Sequence, residues 1–358
     1  MIIAKSCSLS AVATALAPLM NQSSNTVRER LRDTYREADA KSGEKRAELD
    51  VASCWAPWLA WILEGWEGTQ LAIAMDATTL GNVFIVLAIS IVYRGCSIPI
   101  AWKILKANEK HPWQPEWEYL LKQLKDIVPK HWTVIVLADR GLYARWLFEA
   151  IVGMGWHPLL RVNTQGSFRP EGWVHWRPFN ELVPAVGKRW QGRGTAFTGK
   201  KAQLNCTLLG YWGEGHADPW LILTDLDPIA ADACWYGLRA WIERGFKHTK
   251  SGGWQWQYTR MTDPKRAERL WMAIALATWW LISVGGDAEA NVPVATVLPL
   301  PGSARKQNKG WRLVGIFQLG MSLITAALLC GQLLLPKAGR PEPWPKLSDF
   351  SVAERQLC

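Results

Sequence analysis

The chain has 358 residues and a formal net charge of +10. Hydrophobic residues make up 49% of it and charged residues 20%, which is the balance of a globular protein and excludes a disordered one. The positive excess favours a polyanionic partner, with nucleic acid ahead of an anionic membrane surface. A basic enzyme without such a partner would carry the same charge.

Cysteine and tryptophan usage narrow the setting. The seven cysteines are scattered and odd in number, without a C-x-x-C pair. This pattern indicates a reduced, cytosolic protein and argues against a disulfide framework or a zinc site. The 24 tryptophans are expected mainly in packing positions, because an indole buries a large area, with a few left as stacking platforms for bases.

Residues 1–66 predict a small helical N-terminal region. Two helices, at residues 8–20 and 27–40, flank a polar turn at residues 21–25. This order, with arginines on the second helix, suits a helix-turn-helix that places its second helix in the major groove of DNA. A simple helical cap on the next domain has the same pattern, so both interpretations stay open.

Residues 67–336 predict a mixed α/β domain. Three long apolar strands separated by Gly-Asn and Arg-Gly-Cys turns come first, and a later, fully apolar strand is typical of a sheet centre. In chain order the predicted elements are strands 71–80, 83–93 and 97–105, helix 115–128, strand 133–138, helix 143–154 and strand 157–163. This is the order of a ribonuclease-H-like sheet.

A segment rich in glycine, tryptophan and basic residues interrupts that order. Residues 164–226 alternate like β-hairpins and predict an inserted β module. The later elements are predicted as an apolar helix at 267–284, a Pro/Gly loop at 285–308, a core helix at 311–335 and a polar tail at 337–358.

Residues 313–335 carry no charge and are long enough to cross a bilayer. Gln318, Ser322, Thr325 and Gln332 are nevertheless spaced along them as on an ordinary buried helix. We therefore expect no membrane partner and keep a membrane protein as a third hypothesis.

Two aspartates occupy positions that suit a ligand site. Asp76 lies inside an apolar strand, where a buried charge is costly unless it is paired or bound to a metal. Asp139 follows the central strand, at the carboxyl end where α/β sheets present their ligands. A solvent-facing edge position for Asp76 and a helix N-cap for Asp139 are the structural alternatives.

A third acid belongs to a polar stripe in residues 236–250. Tyr236, Arg239, Glu243 and Lys250 follow one another at steps of three, four and seven, which keeps them on one face of an α-helix. A lone carboxylate among two cations and a phenol suits a metal-bridged phosphodiester. An exposed helix with an Arg239–Glu243 ion pair is the alternative.

Together Asp76, Asp139 and Glu243 predict a two-metal site. Acids from a first strand, a neighbouring strand and a late helix can converge on two divalent ions. One ion would activate a water or a 3′-hydroxyl, and the other would stabilise the leaving oxygen of an in-line phosphoryl transfer. Oxygen ligands favour Mg²⁺, with Mn²⁺ as its substitute.

These residues resemble a known family, the DDE transposases of bacterial insertion sequences. The run Y-x2-R-x3-E-x6-K from Tyr236 to Lys250 is similar to the signature of their cut-and-paste, IS-four-type group. The segments M-D-A-T-T at residues 75–79 and A-D-R-G-L-Y at residues 138–143 resemble its first and second acid motifs. The resemblance covers roughly residues 70–335.

The resemblance implies a role for each matched residue. The implied catalytic metal ligands are Asp76, Asp139 and Glu243. The implied contacts to DNA, chiefly to the phosphate next to the cleaved bond, are Tyr236, Arg239, Lys250 and Arg140. Mg²⁺ is the implied cofactor, and no nucleotide cofactor is expected.

Trp220 is a further candidate that the resemblance suggests. It opens the strand W-L-I-L-T, which resembles a family strand whose tryptophan stacks against a flipped base and supports a DNA hairpin. A core tryptophan at a strand start is the alternative.

The implied activity is cut-and-paste DNA transposition, comprising end nicking, hairpin formation and strand transfer. The implied partners are transposon-end and target DNA, with a homodimer formed on DNA in the prokaryotic cytoplasm, at the nucleoid. Because few residues precede Asp76, the alternative is a truncated or catalytically inactive DNA-binding derivative that represses its parent element.

Overall fold

The computed structural model describes residues 1–44, 46–291 and 314–346. Its α-helices are α1 (Leu9–Leu16), α2 (Ser24–Asp33), α3 (Val51–Glu64), α4 (Trp113–Leu124), α5 (Arg145–Gly153), α6 (Phe179–Leu182), α7 (Ala240–Thr249), α8 (Pro264–Asn291) and α9 (Ile316–Leu329). Its strands are β1 (Gln70–Leu80), β2 (Phe84–Tyr93), β3 (Cys96–Lys106), β4 (Thr133–Ala138), β5 (His157–Arg161), β6 (Ser167–Pro170), β7 (Arg177–Pro178), β8 (Arg189–Ala196), β9 (Leu204–Tyr211) and β10 (Trp220–Thr224). Two 3₁₀ helices span Ala233–Arg239 and Trp256–Tyr258.

The strands form a mixed sheet in the order β3-β2-β1-β4-β5-β10-β9-β8-β6-β7. β4 pairs in parallel with β1 and with β5, whereas β10 pairs antiparallel with β5 and β9. An initial antiparallel hairpin beside a parallel centre is the arrangement of a ribonuclease-H-like sheet, so the predicted fold class is confirmed. The predicted insertion, residues 164–226, contributes β6 to β10 to this sheet.

The chain divides into two compact units. The first comprises Met1–Gly68, Ala77–Glu116 and Trp241–Pro341, and the second comprises Thr69–Asp76, Trp117–Ala240 and Glu342–Cys358. The domain boundaries predicted from the sequence stay predictions.

The first unit has a core rich in tryptophan. The ring of Trp271 on α8 lies 6.1 Å from that of Trp102 on β3 and 5.4 Å from that of Trp256. All three side chains are buried. The expectation that tryptophans serve mainly in packing is therefore confirmed for this part of the core.

The second unit is built around β4. Residues from Val134 to Ala138 are buried, as expected for a β-branched and apolar run with neighbours on both sides. Helix α5 packs against β5, and the 3₁₀ helix Ala233–Arg239 packs against β4, β9 and β10. These contacts place that 3₁₀ helix beside the end of β4, where its Arg239 reaches Asp139.

Helix α8 is longer than predicted. It continues through Asn291, although a Pro/Gly loop was expected from residue 285. A Cβ at Gly285 would collide with the carbonyl oxygen of Ile316 at the start of α9, so this glycine allows two helices to approach closely instead of starting a loop. The rest of the predicted loop, residues 292–308, lies outside the described residues.

Helix α9 is shorter than predicted. It spans 14 residues, Ile316–Leu329, and Gly331 follows it with φ of +70°, a left-handed conformation that commonly ends a helix. Fourteen residues rise about 21 Å, less than the roughly 30 Å of a bilayer core. The described part of the predicted 313–335 span is therefore too short to cross a membrane as one helix.

By length and composition, α8 is the helix of the described ranges that could cross a membrane, and 72% of its most apolar window is buried inside the protein. The core helix of a soluble protein has the same properties. This helix is therefore weak evidence for a membrane protein.

Helix α2 ends at Asp33, whereas the sequence predicted a helix to residue 40. The residues that follow are held to α8 by ion pairs. Arg269, whose side chain is 4% exposed, binds Glu37 and Glu48 and donates to the carbonyl oxygens of Tyr35 and Leu49. A buried arginine thus replaces helical hydrogen bonding in this segment.

Glu37 makes the stability of the first unit depend on pH. Hydrogen bonds from Arg266, with Arg269 also contributing, lower the pKa of Glu37 to about 2, below its usual value of about 4.3. The stabilisation is therefore present above about pH 4.3 and lost as pH falls through 2. We expect Glu37→Gln to lower the free energy of unfolding at pH 7 by about 2 kcal/mol.

Urea unfolding of wild type and Glu37→Gln at several pH values measures this difference. The difference should narrow below about pH 4.3, while Glu44→Gln, an exposed acid, should have little effect at any pH. A Glu37→Gln deficit that stays constant down to pH 3 would contradict the assignment.

Candidate active site

Asp76 and Asp139 lie side by side because of the register of two parallel strands. Met75 of β1 is paired with Ala138 of β4. The residue that follows each of these two is an aspartate, so the two carboxylates lie at the same level of neighbouring strands. The predicted convergence of these two acids is therefore present in the second unit.

The surroundings of Asp139 fix one of its oxygens. Oδ1 accepts hydrogen bonds from the backbone N–H groups of Gly141, at 2.9 Å, and Leu142, at 3.3 Å. Helix α5 begins later, with Ala144 at its N-cap, so the helix N-cap interpretation of Asp139 is wrong. Asp139 instead stabilises a turn, and a Cβ at position 141 would lie only 3.2 Å from Oδ1.

Arg239 bridges the two aspartates. Its Nη2 donates to Oδ2 of Asp76 at 2.8 Å and to Oδ2 of Asp139 at 3.2 Å. The exposed fractions are 14% for the Arg239 side chain, 15% for Asp76 and 36% for Asp139. Asp76 is thus an enclosed, paired acid, and its interpretation as a solvent-facing edge residue is wrong.

Tyr236 and Trp220 form an aromatic wall in the second unit. The Tyr236 ring meets the Trp220 ring edge-on at 5.2 Å, and both side chains are buried. Burial raises the pKa of Tyr236 to about 12, although Arg239 and Arg161 lower it. The phenol therefore stays protonated and able to donate a hydrogen bond throughout the physiological pH range.

Trp220 itself is 7% exposed. Its ring lies 4.8 Å from that of His216 and 6.4 Å from that of Tyr211. In this structure it occupies a packing position at the start of β10, as the alternative interpretation expected. Its face is not open to a base, so the stacking role stays a prediction that needs the ring to become accessible.

Asp218 connects two arginines. Its Oδ2 accepts a hydrogen bond from Nη1 of Arg140 and its Oδ1 accepts one from Nη2 of Arg161, each at 2.7 Å. The Arg140 side chain is half exposed, whereas Arg161 is enclosed and its Nε has no hydrogen-bond partner. Arg161 is a candidate DNA contact that sequence reasoning missed; an arginine ending an apolar strand was the available signal.

Lys250 and Glu243 belong to the first unit. The Lys250 ammonium donates to Oγ1 of Thr78 at 2.7 Å, and burial lowers the pKa of Lys250. Thr78 is the fourth residue of the first acid motif, so the Thr78 end of that motif contacts the end of the signature within this unit. Glu243 is exposed in the first turn of α7.

The predicted single helical stripe is wrong. Tyr236 and Arg239 lie on a 3₁₀ helix that Asp232 caps by accepting from the N–H of Cys234, α7 begins only at Ala240, and Lys250 follows its last residue. A 3₁₀ helix has three residues per turn, so Tyr236 and Arg239 still share one side. Their spacing of three fits both helix types, which is why the sequence did not separate them.

The oxygen donors of Asp76 and Asp139 suit a hard cation. Two carboxylate oxygens converge on one cationic nitrogen, the arrangement and the ligand chemistry that a Mg²⁺ site requires. Over residues 1–44, 46–291 and 314–346, no three His, Cys, Asp or Glu side chains are grouped closely enough to hold a metal ion. The three-ligand site stays a prediction.

The fold and the paired acids define the class of α/β proteins that carry carboxylates on or directly after adjacent parallel strands of a ribonuclease-H-like sheet. The profile of the family described as "Transposase DDE domain" matches residues 87–280, more than half of the chain. The chain belongs to this transposase DDE-domain family. The matched residues include Asp139 and Glu243 and begin after Asp76.

No curated protein matches the chain. Among solved structures, the crystal structure of human ENDOV is similar over 69% of this chain and 93% of that chain, with 11% sequence identity and a TM-score of 0.24. A likeness this distant has no bearing on the chemistry of the chain.

Proposed function

We propose that the chain is the DNA transposase of an IS-four-type insertion sequence and that it performs cut-and-paste transposition. Asp76, Asp139 and Glu243 are its metal ligands, and Tyr236, Arg239 and Lys250 contact the phosphate beside the cleaved bond. Its substrates are the ends of its own element and target DNA. It acts as a homodimer on DNA, at the nucleoid of a prokaryotic cell.

One observation carries this proposal: Asp76 within β1 and Asp139 directly after β4 share the guanidinium of Arg239. Arg239 is the first cation of the Y-x2-R-x3-E-x6-K pattern. The pattern and the two acid motifs are distant in sequence. An ion pair that served only stability would not require the pattern together with the acid motifs. The contact of Arg239 with both aspartates in the second unit supports a common site for phosphate chemistry.

Metal ions, when bound, would supply charge stabilisation and an activated water or 3′-hydroxyl. Mg²⁺ or Mn²⁺ fits the oxygen donors of Asp76 and Asp139. The chain's own groups bind and orient the phosphodiester: Arg239 offers a planar fork suited to two phosphate oxygens, and Tyr236 stays protonated as a donor. Lys250 provides a further cation.

The proposed reaction consists of four phosphoryl transfers. Water breaks the bond at the element's end and leaves a 3′-hydroxyl. That hydroxyl attacks the opposite strand and forms a hairpin, which a second water reopens. The same 3′-hydroxyl then joins target DNA, with an oxygen of the target strand as leaving group.

Glu243 is the most direct test of the activity. Replacing its carboxylate with a neutral amide removes a negative metal ligand at nearly constant size. We expect Glu243→Gln to lower the rate of Mg²⁺-dependent nicking and strand transfer on end-sequence DNA by on the order of 10³-fold. Gel assays with labelled DNA ends measure both steps.

The matched control is Glu214→Gln, which removes an exposed glutamate far along the chain from the acid motifs and should retain full activity. Full activity in Glu243→Gln would end the proposal.

Trp220 tests the hairpin step. Because the ring is buried, Trp220→Ala should lower the free energy of unfolding by about 3–5 kcal/mol, while Trp220→Phe should remain folded. If the indole stacks on a base, Trp220→Phe slows hairpin formation more than the first nick, which single-turnover gel assays resolve. Trp102→Phe, at a buried position on β3, serves as the control for general loosening.

An equal effect of Trp220→Phe on nicking and hairpin formation would leave Trp220 as a packing residue only.

The N-terminal helices border a basic cavity. A space of about 540 Å³ is lined by Arg28 and Arg32 of α2, Arg260 and Tyr258. Three guanidinium groups around one polar cavity suit phosphate oxygens of DNA. We propose that this surface holds the DNA backbone, the role that residues 1–66 were expected to have.

Substituting these arginines should weaken DNA binding. We expect each of Arg28→Ala, Arg32→Ala and Arg260→Ala to reduce the slope of log K against log salt by about 1 if it contacts a phosphate. The loss should be alike on end DNA and unrelated DNA, measured by fluorescence anisotropy. Lys265→Ala, an exposed cation that does not line the cavity, is the control.

If only binding to end DNA weakens, α2 reads bases as a recognition helix does, and the backbone role is wrong.

A second candidate function is a catalytically inactive DNA-binding derivative that represses its parent element. The basic cavity beside α2, which suits DNA binding without any catalytic step, is the observation that supports it. The wild-type chain would then bind end DNA without Mg²⁺-dependent nicking. Detection of any nicking that Glu243→Gln abolishes removes this candidate.

A further inference from the structure

Arg239 occupies the oxygens that a cation between the two aspartates would need. Its Nη2 lies 2.8 Å from Oδ2 of Asp76 and 3.2 Å from Oδ2 of Asp139. The other oxygen of Asp139 is already engaged by two backbone N–H groups. Arg239 therefore holds the oxygen of Asp139 that remains for a ligand.

The arginine has a clear structural task. Two carboxylates at the same level of adjacent strands repel each other, and water screens this repulsion only in part, because the side chain of Asp76 is 15% exposed and that of Asp139 36%. One guanidinium between them compensates part of this charge. The chain can therefore fold with both acids ionised before any metal ion is present.

The same position makes Arg239 a competitor of a metal ion. Mg²⁺ binds oxygens at about 2.0–2.1 Å, so an ion bound to both Oδ2 atoms would stand next to the guanidinium. Two cations at such a short distance in an enclosed site repel each other. A metal ion can bind both aspartates only after Arg239 has moved away.

A phosphate group is the partner that can draw Arg239 away. Guanidinium binds phosphate through two parallel hydrogen bonds, which replace the two that it makes here. Arg239 is also the last residue of a 3₁₀ helix that continues as α7, and such junctions tolerate local rearrangement. Its long side chain can change partners without moving β1 or β4.

We propose that Arg239 is the resident counter-ion of the Asp76–Asp139 pair and that a DNA phosphate takes Arg239 over, so that phosphate binding and divalent-metal binding promote each other. This inference rests on the proposed function, because it takes the two aspartates as metal ligands. It adds an order of binding events: without DNA, Arg239 occupies the two aspartates, and a metal ion binds them once phosphate has taken Arg239.

Removing the counter-ion should strengthen metal binding in the absence of DNA. We expect Arg239→Gln to bind Mn²⁺ about tenfold more tightly than wild type, measured on the full chain by the electron paramagnetic resonance signal of free Mn²⁺. Arg145→Gln makes the same change in net charge in the second unit, on an exposed arginine paired with Glu149, and controls for the general field. Adding Asp139→Asn to Arg239→Gln should abolish the gain.

A wild-type measurement covers the case in which Arg239→Gln does not fold. Coupling is reciprocal, so Mn²⁺ should raise the affinity of the wild-type chain for duplex DNA carrying the element's terminal repeat by about the same tenfold factor. Fluorescence anisotropy at constant ionic strength measures it. Arg145→Gln should keep this coupling, and a folded Arg239→Gln should lose it.

The outcomes separate this inference from the proposed function. If Asp76→Asn binds Mn²⁺ as tightly as the wild-type chain does, the aspartates are not metal ligands and the proposed function fails. If Asp76→Asn weakens Mn²⁺ binding, but Arg239→Gln and Arg145→Gln bind Mn²⁺ equally and DNA has no effect, only the counter-ion role is overturned.

Discussion

The parallel pairing of β1 with β4 is the constraint on which the candidate site depends. Because Met75 and Ala138 are partners in the register, the following aspartates are forced together at one level of the sheet. A shift of one residue would turn one of them to the opposite face. Adjacent like charges in an enclosed place need a cation, and Arg239, brought by the 3₁₀ helix that packs on β4, supplies it.

Much of the sheet could be predicted from local sequence. The apolar run Thr133–Ala138 was predicted with its observed bounds, because a β-branched segment between polar turns has few alternatives. The hairpin of β2 and β3 is similarly marked by the turn between Tyr93 and Cys96. The positions of Asp76 and Asp139, a charge within one such run and a charge after another, were evident for the same reason.

Features that depend on distant partners could not be predicted. Gly285 resembled a loop residue, since only the approach of Ile316 explains its place inside α8. The stripe from Tyr236 to Lys250 suited one α-helix, yet its residues fall in two compact units, divided between Ala240 and Trp241. Arg161 drew no attention because its partner, Asp218, is far along the chain. The periodicity of a sequence shows which residues share one face of a helix or strand. It does not show which charged residue from a distant part of the chain will contact that face.

Two clusters of ion pairs in the second unit carry net charges of opposite sign. Asp218 accepts from both Arg140 and Arg161, which leaves a positive surplus, whereas Arg239 donates to both Asp76 and Asp139, which leaves a negative one. The charges of Arg239, Arg161 and Asp139 all act on the phenol of Tyr236, so the two groups are neighbours. An anionic phosphate suits the first and a metal cation the second. The proposed phosphoryl transfer would need both at once, which would give this imbalance of side-chain charge a chemical reason.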